Sequence, residues 1–227
     1  MNNNRIVIAV DGPAGSGKSS VSKEVAKKAG LKYIDSGAIY RTITHFLLKK
    51  FNHIDNEICN ICHINNITIT QVFINNGTSR TFLDGEDVSD QIREELITKY
   101  IGIVSDDPEI RGYVNALLRE WAKENSIIMD GRDIGTIVFP QADLKIYLDA
   151  SVDIRSERRV LEYKDKGKTV DENDIKKQID KRDSDDKKRP FGPLKMADDA
   201  IYIDTTKMSK NEVVEKIYKL LRNLNID

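Results

Sequence analysis

Gly12-Pro13-Ala14-Gly15-Ser16-Gly17-Lys18-Ser19 fits G-x-x-x-x-G-K-[ST], a spacing suited to holding phosphate. Glycines without Cβ atoms let backbone N–H groups converge on phosphate oxygens. The N-terminus of the helix that follows adds partial positive charge. Lys18 is placed to reach the β- and γ-phosphates, and the Ser19 hydroxyl to ligate Mg²⁺. An apolar run, Arg5–Val10, precedes the motif and a helical pattern follows it, which is the context that such a loop requires. The motif specifies a nucleoside triphosphate but not a reaction.

The reaction must come from the other charged residues. No Asn-Lys-x-Asp occurs, so a guanine-reading switch protein is excluded, and the chain is too short for a large motor-type ATPase. A small kinase with an acceptor site and a cationic lid remains. Asp35-Ser36-Gly37 closes a second apolar run, with Tyr40 and Arg41 on the first helical turn after it. Tyr40 stands at i+4 from Ser36 and so shares its helix face, while Arg41 can pair with a phosphate. Asp130-Gly131-Arg132-Asp133 closes a third run. Arg132 suits bidentate phosphate binding, and Asp133 suits an exocyclic amine such as the N4 amine of cytosine. Transfer of a phosphoryl group from an ionised phosphate needs no general base; it needs in-line positioning and cations around the equatorial oxygens. Candidates are Lys18, Arg155, Arg158, Arg159, Arg182 and Arg189.

These blocks carry a resemblance to the bacterial cytidylate kinase family of nucleoside monophosphate kinases. It rests on Asp11–Lys18, Asp35-Ser36-Gly37-Ala38-Ile39-Tyr40-Arg41, Leu83-Asp84-Gly85-Glu86-Asp87-Val88-Ser89 and Asp130-Gly131-Arg132-Asp133-Ile134-Gly135-Thr136. Arg182-Asp183, Asp186, Arg189 and Pro193-Leu194 extend it. The resemblance implies transfer of the γ-phosphoryl group of ATP to CMP or dCMP, with Mg²⁺. It implies ATP contacts from Gly12 through Ser20 and from Arg158, with Arg159 beside it in the lid. For the acceptor it implies Ser36, Tyr40, Arg41, Ser105, Arg132, Asp133, Arg182, Asp186 and Arg189. Family members carry a base-reading Arg where this chain has Val114, and the nearest candidate is Arg111. Either the helix register shifts or cytosine is read differently. A related kinase for another acceptor, such as UMP, and a non-catalytic nucleotide-binding regulator are the competing readings.

Five short apolar runs must position these residues: Arg5–Val10, Lys32–Asp35, Ser126–Asp130, Leu144–Asp149 and Ala200–Asp204, four of them ending in Asp. Near-continuous apolar strands separated by helical patterns predict an α/β fold with a five-stranded parallel sheet covered on both faces. Helical periodicity covers Ser19–Ala29, Ala38–Phe51, Ile110–Glu124, Val152–Lys166, Glu172–Lys188 and Asn211–Leu224. Alternation on both sides of Asn75-Asn76-Gly77 predicts an antiparallel hairpin. The expected single domain thus runs as core 1–63, nucleoside-monophosphate insert about 64–104, core 105–151, helical lid about 152–190 and core 191–227.

The chain has 227 residues, with 36 Lys and Arg against 37 Asp and Glu. That balance excludes the strongly basic field of a dedicated nucleic-acid binder. No apolar run is long enough to span a membrane, and the first run is too short for a signal peptide. A cytoplasmic protein acting on small nucleotides, and a monomer, is therefore expected. Cys59-Asn60-Ile61-Cys62-His63 matches the haem-attachment pattern C-x-x-C-H. In a chain without export it reads as two small apolar side chains on a helix face with Ile58, Ile61 and Ile64.

Overall fold

The computed structural model describes residues 5–61, 64–74, 79–165 and 167–224. Strands β1 (Val7–Asp11), β2 (Lys32–Asp35), β6 (Ile127–Gly131), β7 (Leu144–Asp149) and β8 (Ile201–Asp204) form one parallel sheet in the order β2-β6-β1-β7-β8. A second sheet, antiparallel, joins β3 (Ile69–Phe73), β4 (Ser79–Leu83) and β5 (Glu86–Asp87). The Asn75-Asn76-Gly77 turn, together with Cys62 and His63, lies outside the described residues.

Successive strand residues face opposite sides of the sheet, and the sequence is apolar on both. Ile8, Val10, Tyr33, Ile128, Ile146 and Leu148 pack on Val21 and Val25 of α1 (Lys18–Ala29) and on Val213, Val214, Ile217 and Leu221 of α8 (Lys210–Arg222). Ala9, Ile34, Ile127 and Met129 join the other core, with Ile39, Ile43 and Leu47 of α2 (Ser36–Phe51). Ile110, Val114 and Leu118 of α5 (Pro108–Ala122) complete that side. Each such fully buried aliphatic side chain contributes roughly 1.5–3 kcal/mol, so the core and not the charged surface holds the layers together.

Local signals set the element ends. The Asp35 carboxylate accepts the Ala38 N–H (2.9 Å) and caps α2. Asp107 caps α5, with Pro108 at its first position, where a missing N–H is harmless. Ser209 and Glu212 form a reciprocal capping box on α8. Between β2 and β6 two further helices appear, α3 (Asn56–Ile61) and α4 (Glu95–Asp106). The α4 segment falls where the hairpin insert was expected to end. Its buried Ile97, Ile101 and Val104 recur at helical spacing, a signal that was legible in the sequence. After β6 the chain makes a π-helical turn over Ile134–Val138. The charged stretch folds as α6 (Val152–Asp165) and α7 (Glu172–Lys188), joined through Gly167 at φ 71.

Because the five strands are parallel, all their carboxyl ends lie along one edge, the place where open α/β sheets bind ligands. In register, Asp35 stands beside Asp130 and Asp11 beside Gly131. Three loops that bear the candidate residues therefore start from adjacent strands.

Candidate active site

The phosphate loop leaves β1 at Asp11 and enters α1 at Lys18. A Cβ on Gly12 would stand 1.9 Å from the Leu148 carbonyl oxygen of β7, so only glycine fits there. Lys18 is 5% exposed, and its Nζ donates to Pro13 O (2.6 Å) and Ser16 Oγ (3.3 Å). Burial, then the Arg132 charge, pushes its ammonium well below the usual lysine range. An anion between Lys18 and Arg132 relieves both effects.

Ser19 Oγ donates to Asp130 Oδ2 (2.7 Å), and the buried Tyr33 hydroxyl donates to Asp130 Oδ1 (2.6 Å). Ser36 Oγ donates to the Asp130 carbonyl (2.6 Å). One residue at the end of β6 thus links the loop expected to hold the donor to the first helical residue of the acceptor block. Burial, then the Asp35 charge, raises the Asp130 carboxyl above its usual range. The oxygen donors Ser19 and Asp130 suit a hard divalent cation, whose charge offsets that burial.

Asp11 is the counterpart on β1. Its two oxygens accept the Ile134 N–H (2.8 Å) and the Gly135 N–H (2.7 Å), fixing the loop that carries Arg132 and Asp133. Burial pushes the Asp11 carboxyl up to about 6, against the lowering effect of those N–H groups.

On the acceptor side, Arg41 donates to Ile92 O (3.2 Å) and Thr98 Oγ1 (3.0 Å). Burial and the neighbouring Arg93 lower its guanidinium to about 10. Arg93 pairs with Asp35 (2.7 Å), the residue that caps α2. Arg132 Nε donates to Asp186 Oδ2 (2.8 Å) and Arg189 Nη2 to Asp186 Oδ1 (2.6 Å). Arg189 also binds Asp106 (2.5 Å) and, through Nη2, Ser105 Oγ (3.4 Å). Burial raises the Asp186 carboxyl, but Arg132, Arg182 and Arg189 outweigh it and hold it below its usual range. Half-buried Arg182 is itself lowered to about 10 by burial and Arg132. Such a concentration of cations favours a bound anion of high charge.

Arg111 settles the register question. It forms a buried ion pair with Asp133, donates to Ser105 O (2.9 Å), and lies with its guanidinium 5.6 Å from the Tyr40 ring centre. Val114 is fully buried in the core. The helix presents Arg111, and not position 114, to Asp133. Gly192 passes so close that a Cβ there would fall 2.1 Å from Arg111 Nη2 and 2.2 Å from Asp133 Oδ2. Ser105 contributes mainly backbone, its hydroxyl donating to Gly102 O (3.1 Å) of its own helix.

The remaining candidates separate by position. Arg158 donates to Ser16 O (3.3 Å), Thr205 Oγ1 (3.1 Å) and Thr205 O (2.9 Å), so it lies against the phosphate loop. Arg159 is more exposed and pairs with Glu162 (2.7 Å). Ser20 Oγ donates to Gly17 O (2.9 Å). Arg155 is not in the cleft at all: its side chain is buried against Ala14, Ala150 and Asp183. Cys59 is buried with Ile58 and Ile64 in the core. Sequence reasoning assigned no role to Asp11, Tyr33, Arg93, Asp130 or Thr205. The aspartates at strand ends were a usable signal; Arg93, with no motif of its own, was not.

A family model described as cytidylate kinase matches residues 8–223. A protein from Caldicellulosiruptor bescii named cytidylate kinase is 44% identical over 223 residues, covering 96% of this chain and 98% of that one. One of the same name from Caldanaerobacter subterraneus subsp. tengcongensis is 42% identical, covering 98% of this chain and 97% of that one. Among solved structures, an uncharacterized protein from Eubacterium ventriosum aligns over 96% of this chain and 99% of its own. Its TM-score is 0.50 at 14% identity, a likeness of fold alone.

Proposed function

The chain belongs to the cytidylate kinase family; it transfers the γ-phosphoryl group of ATP to CMP or dCMP, and we propose that the cations and carboxylates described above carry out that transfer. An ionised oxygen of the CMP phosphate attacks the γ-phosphorus of ATP. The bond from that phosphorus to the bridging oxygen breaks, leaving ADP and CDP. Gly12 to Ser20 bind the triphosphate. Lys18 turns from Pro13 O to the β- and γ-oxygens, whose negative charge offsets the cost of burying its ammonium. Arg132, Arg182 and Arg189 neutralise the transferring group from the acceptor side, with Asp186 holding two of them in place. Arg41 holds the acceptor phosphate, and Arg158 and Arg159 cover the donor side from α6. Closure of α6 and α7 expels water and limits hydrolysis of ATP.

Ser19 and Asp130 are the residues that would hold Mg²⁺, which supplies charge neutralisation at the β- and γ-phosphates. Tyr33 keeps Asp130 aimed at Ser19. For the base, Asp133 accepts from the N4 amine of cytosine and Arg111 donates to its acceptor edge, with Ser36 and Tyr40 beside the pair. Uracil offers a carbonyl in place of that amine, so Asp133 disfavours it. All these residues come from one chain, so no second copy is needed, and we place the reaction in the cytoplasm. Among the described residues no helix is long and apolar enough to cross a membrane.

The observation that carries this reading is the Ser19–Asp130–Ser36 bridge, which puts the donor loop and the acceptor helix on one residue. Coupled measurement of ADP release tests it with CMP, dCMP, UMP and AMP as acceptors. Turnover with CMP and dCMP at least ten-fold more efficient than with UMP or AMP is expected. Absence of CMP-dependent turnover would sink it.

A further inference from the structure

Helix α6 sits directly on the phosphate loop. A Cβ on Gly15 would lie 3.1 Å from both the Cβ and the carbonyl oxygen of Arg155. Arg155 is 4% exposed, and its guanidinium serves three elements at once. Nε donates to Ala150 O after β7 (2.9 Å), and Nη1 donates to Ala14 O in the phosphate loop (3.0 Å). Nη1 also pairs with Asp183 Oδ2 on α7 (2.6 Å). With Nε and Nη1 so engaged and the side chain buried, Arg155 is not placed to act as a lid cation.

The peptide geometry gives these contacts a consequence. No cis peptide occurs among the described residues, and in a trans peptide C=O and N–H point to opposite sides. Holding Ala14 O toward α6 therefore turns the Gly15 N–H away from α6. Arg158 repeats the contact two residues on, through Ser16 O (3.3 Å), and so turns the Gly17 N–H the same way. Pro13 O, by contrast, faces Lys18. Gly15 and Gly17, at φ 77 and 90, permit this alternation.

We propose that Arg155 is a positioning residue for the phosphoryl donor: from α6 it sets the direction of the Gly15 N–H, and Asp183 holds its guanidinium in place. The link also joins the phosphate loop to α7, which carries Arg182 and Asp186. The inference rests on ATP as the donor, part of the function proposed above.

Arg155→Met alone would leave Asp183 as a buried carboxylate whose other oxygen already has no hydrogen-bond partner. The test therefore pairs it with Asp183→Asn and also measures Asp183→Asn alone. Each variant is titrated with a fluorescent ATP analogue and assayed for both Michaelis constants. In the double variant, ATP affinity should fall at least ten-fold while KM for CMP stays within two-fold. Asp183→Asn should lose two- to five-fold. ATP affinity within two-fold of the unmodified enzyme in a folded double variant overturns the proposal. Equal losses for ATP and CMP overturn it too, since they mark a general structural prop. If the unmodified chain binds ATP but does not turn CMP over, the phosphotransfer reading fails while this one stands.

Discussion

Arg111 and Val114 stand less than one helical turn apart on α5, and the two side chains meet opposite fates. Val114 is fully enclosed in the core, whereas Arg111 reaches across the cleft edge to Asp133, under the Tyr40 ring. Helical spacing alone allowed either register; packing chose. The pair is buried, so neither charge is stable without the other. Arg111→Met should therefore act twice. KM for CMP is expected to rise at least ten-fold with KM for ATP within two-fold, read by steady-state kinetics. Stability should fall by about 3–5 kcal/mol, the cost of leaving a buried charge unpaired, read by chemical denaturation. A variant with unchanged KM for CMP would remove Arg111 from the base site.

Elements here do two kinds of work, and the caps distinguish them. Asp35 caps α2 and also binds Arg93, so one carboxylate sets both the acceptor helix and its contact with the insert. The capping box at Ser209 serves only α8, which packs on the far face of the sheet against α1. Removing it should affect stability without touching catalysis. Ser209→Ala is expected to cost about 1 kcal/mol, or about 2–4 °C in Tm for a chain of this size. Calorimetry checks the first part. Unchanged kcat and KM below the transition check the second; a lowered kcat would mean that α8 reaches the site.

Across the whole molecule the charges nearly cancel, 36 against 37, yet they are not evenly spread. Lys18, Arg41, Arg132, Arg182 and Arg189 gather at one sheet edge with Asp11, Asp130, Asp133 and Asp186 among them. That arrangement lowers stability for the sake of the site. Asp11, facing Asp133 and Lys18, has its carboxyl raised from 3.8 to about 6 by burial. A folded-state value above the unfolded one means that the folded protein holds the proton more tightly. The associated stability is fully present below pH 3.8 and is lost as pH rises through 6. It amounts to about 3 kcal/mol. Between pH 4 and 6, Asp11→Asn should show a less negative slope of stability against pH than the unmodified chain. Denaturation across that range, without nucleotide, reads the difference; parallel curves would show that Asp11 titrates normally. Activity should fall in the same variant, because Ile134 and Gly135 each donate to a different Asp11 oxygen. The amide NH2 that replaces one of them is a donor, leaving that N–H without its acceptor.

The phosphate loop, the five strands and the blocks around Ser36 and Arg132 were legible in the chain itself. Each depends on residues close in sequence: glycines that free a backbone, apolar runs of strand length, a capping Asp. The charged 151–189 stretch likewise read as two helices. The partners of those residues were not legible. Ser19 with Asp130, Asp11 with Gly135, Arg93 with Asp35 and Arg155 with Asp183 are separated by 111, 124, 58 and 28 positions. No local spacing encodes which of many charges will meet across such distances. Parallel pairing decided it, because it brings the carboxyl ends of strands distant in sequence to one edge. Packing then decided which charges are enclosed there and which stay in water.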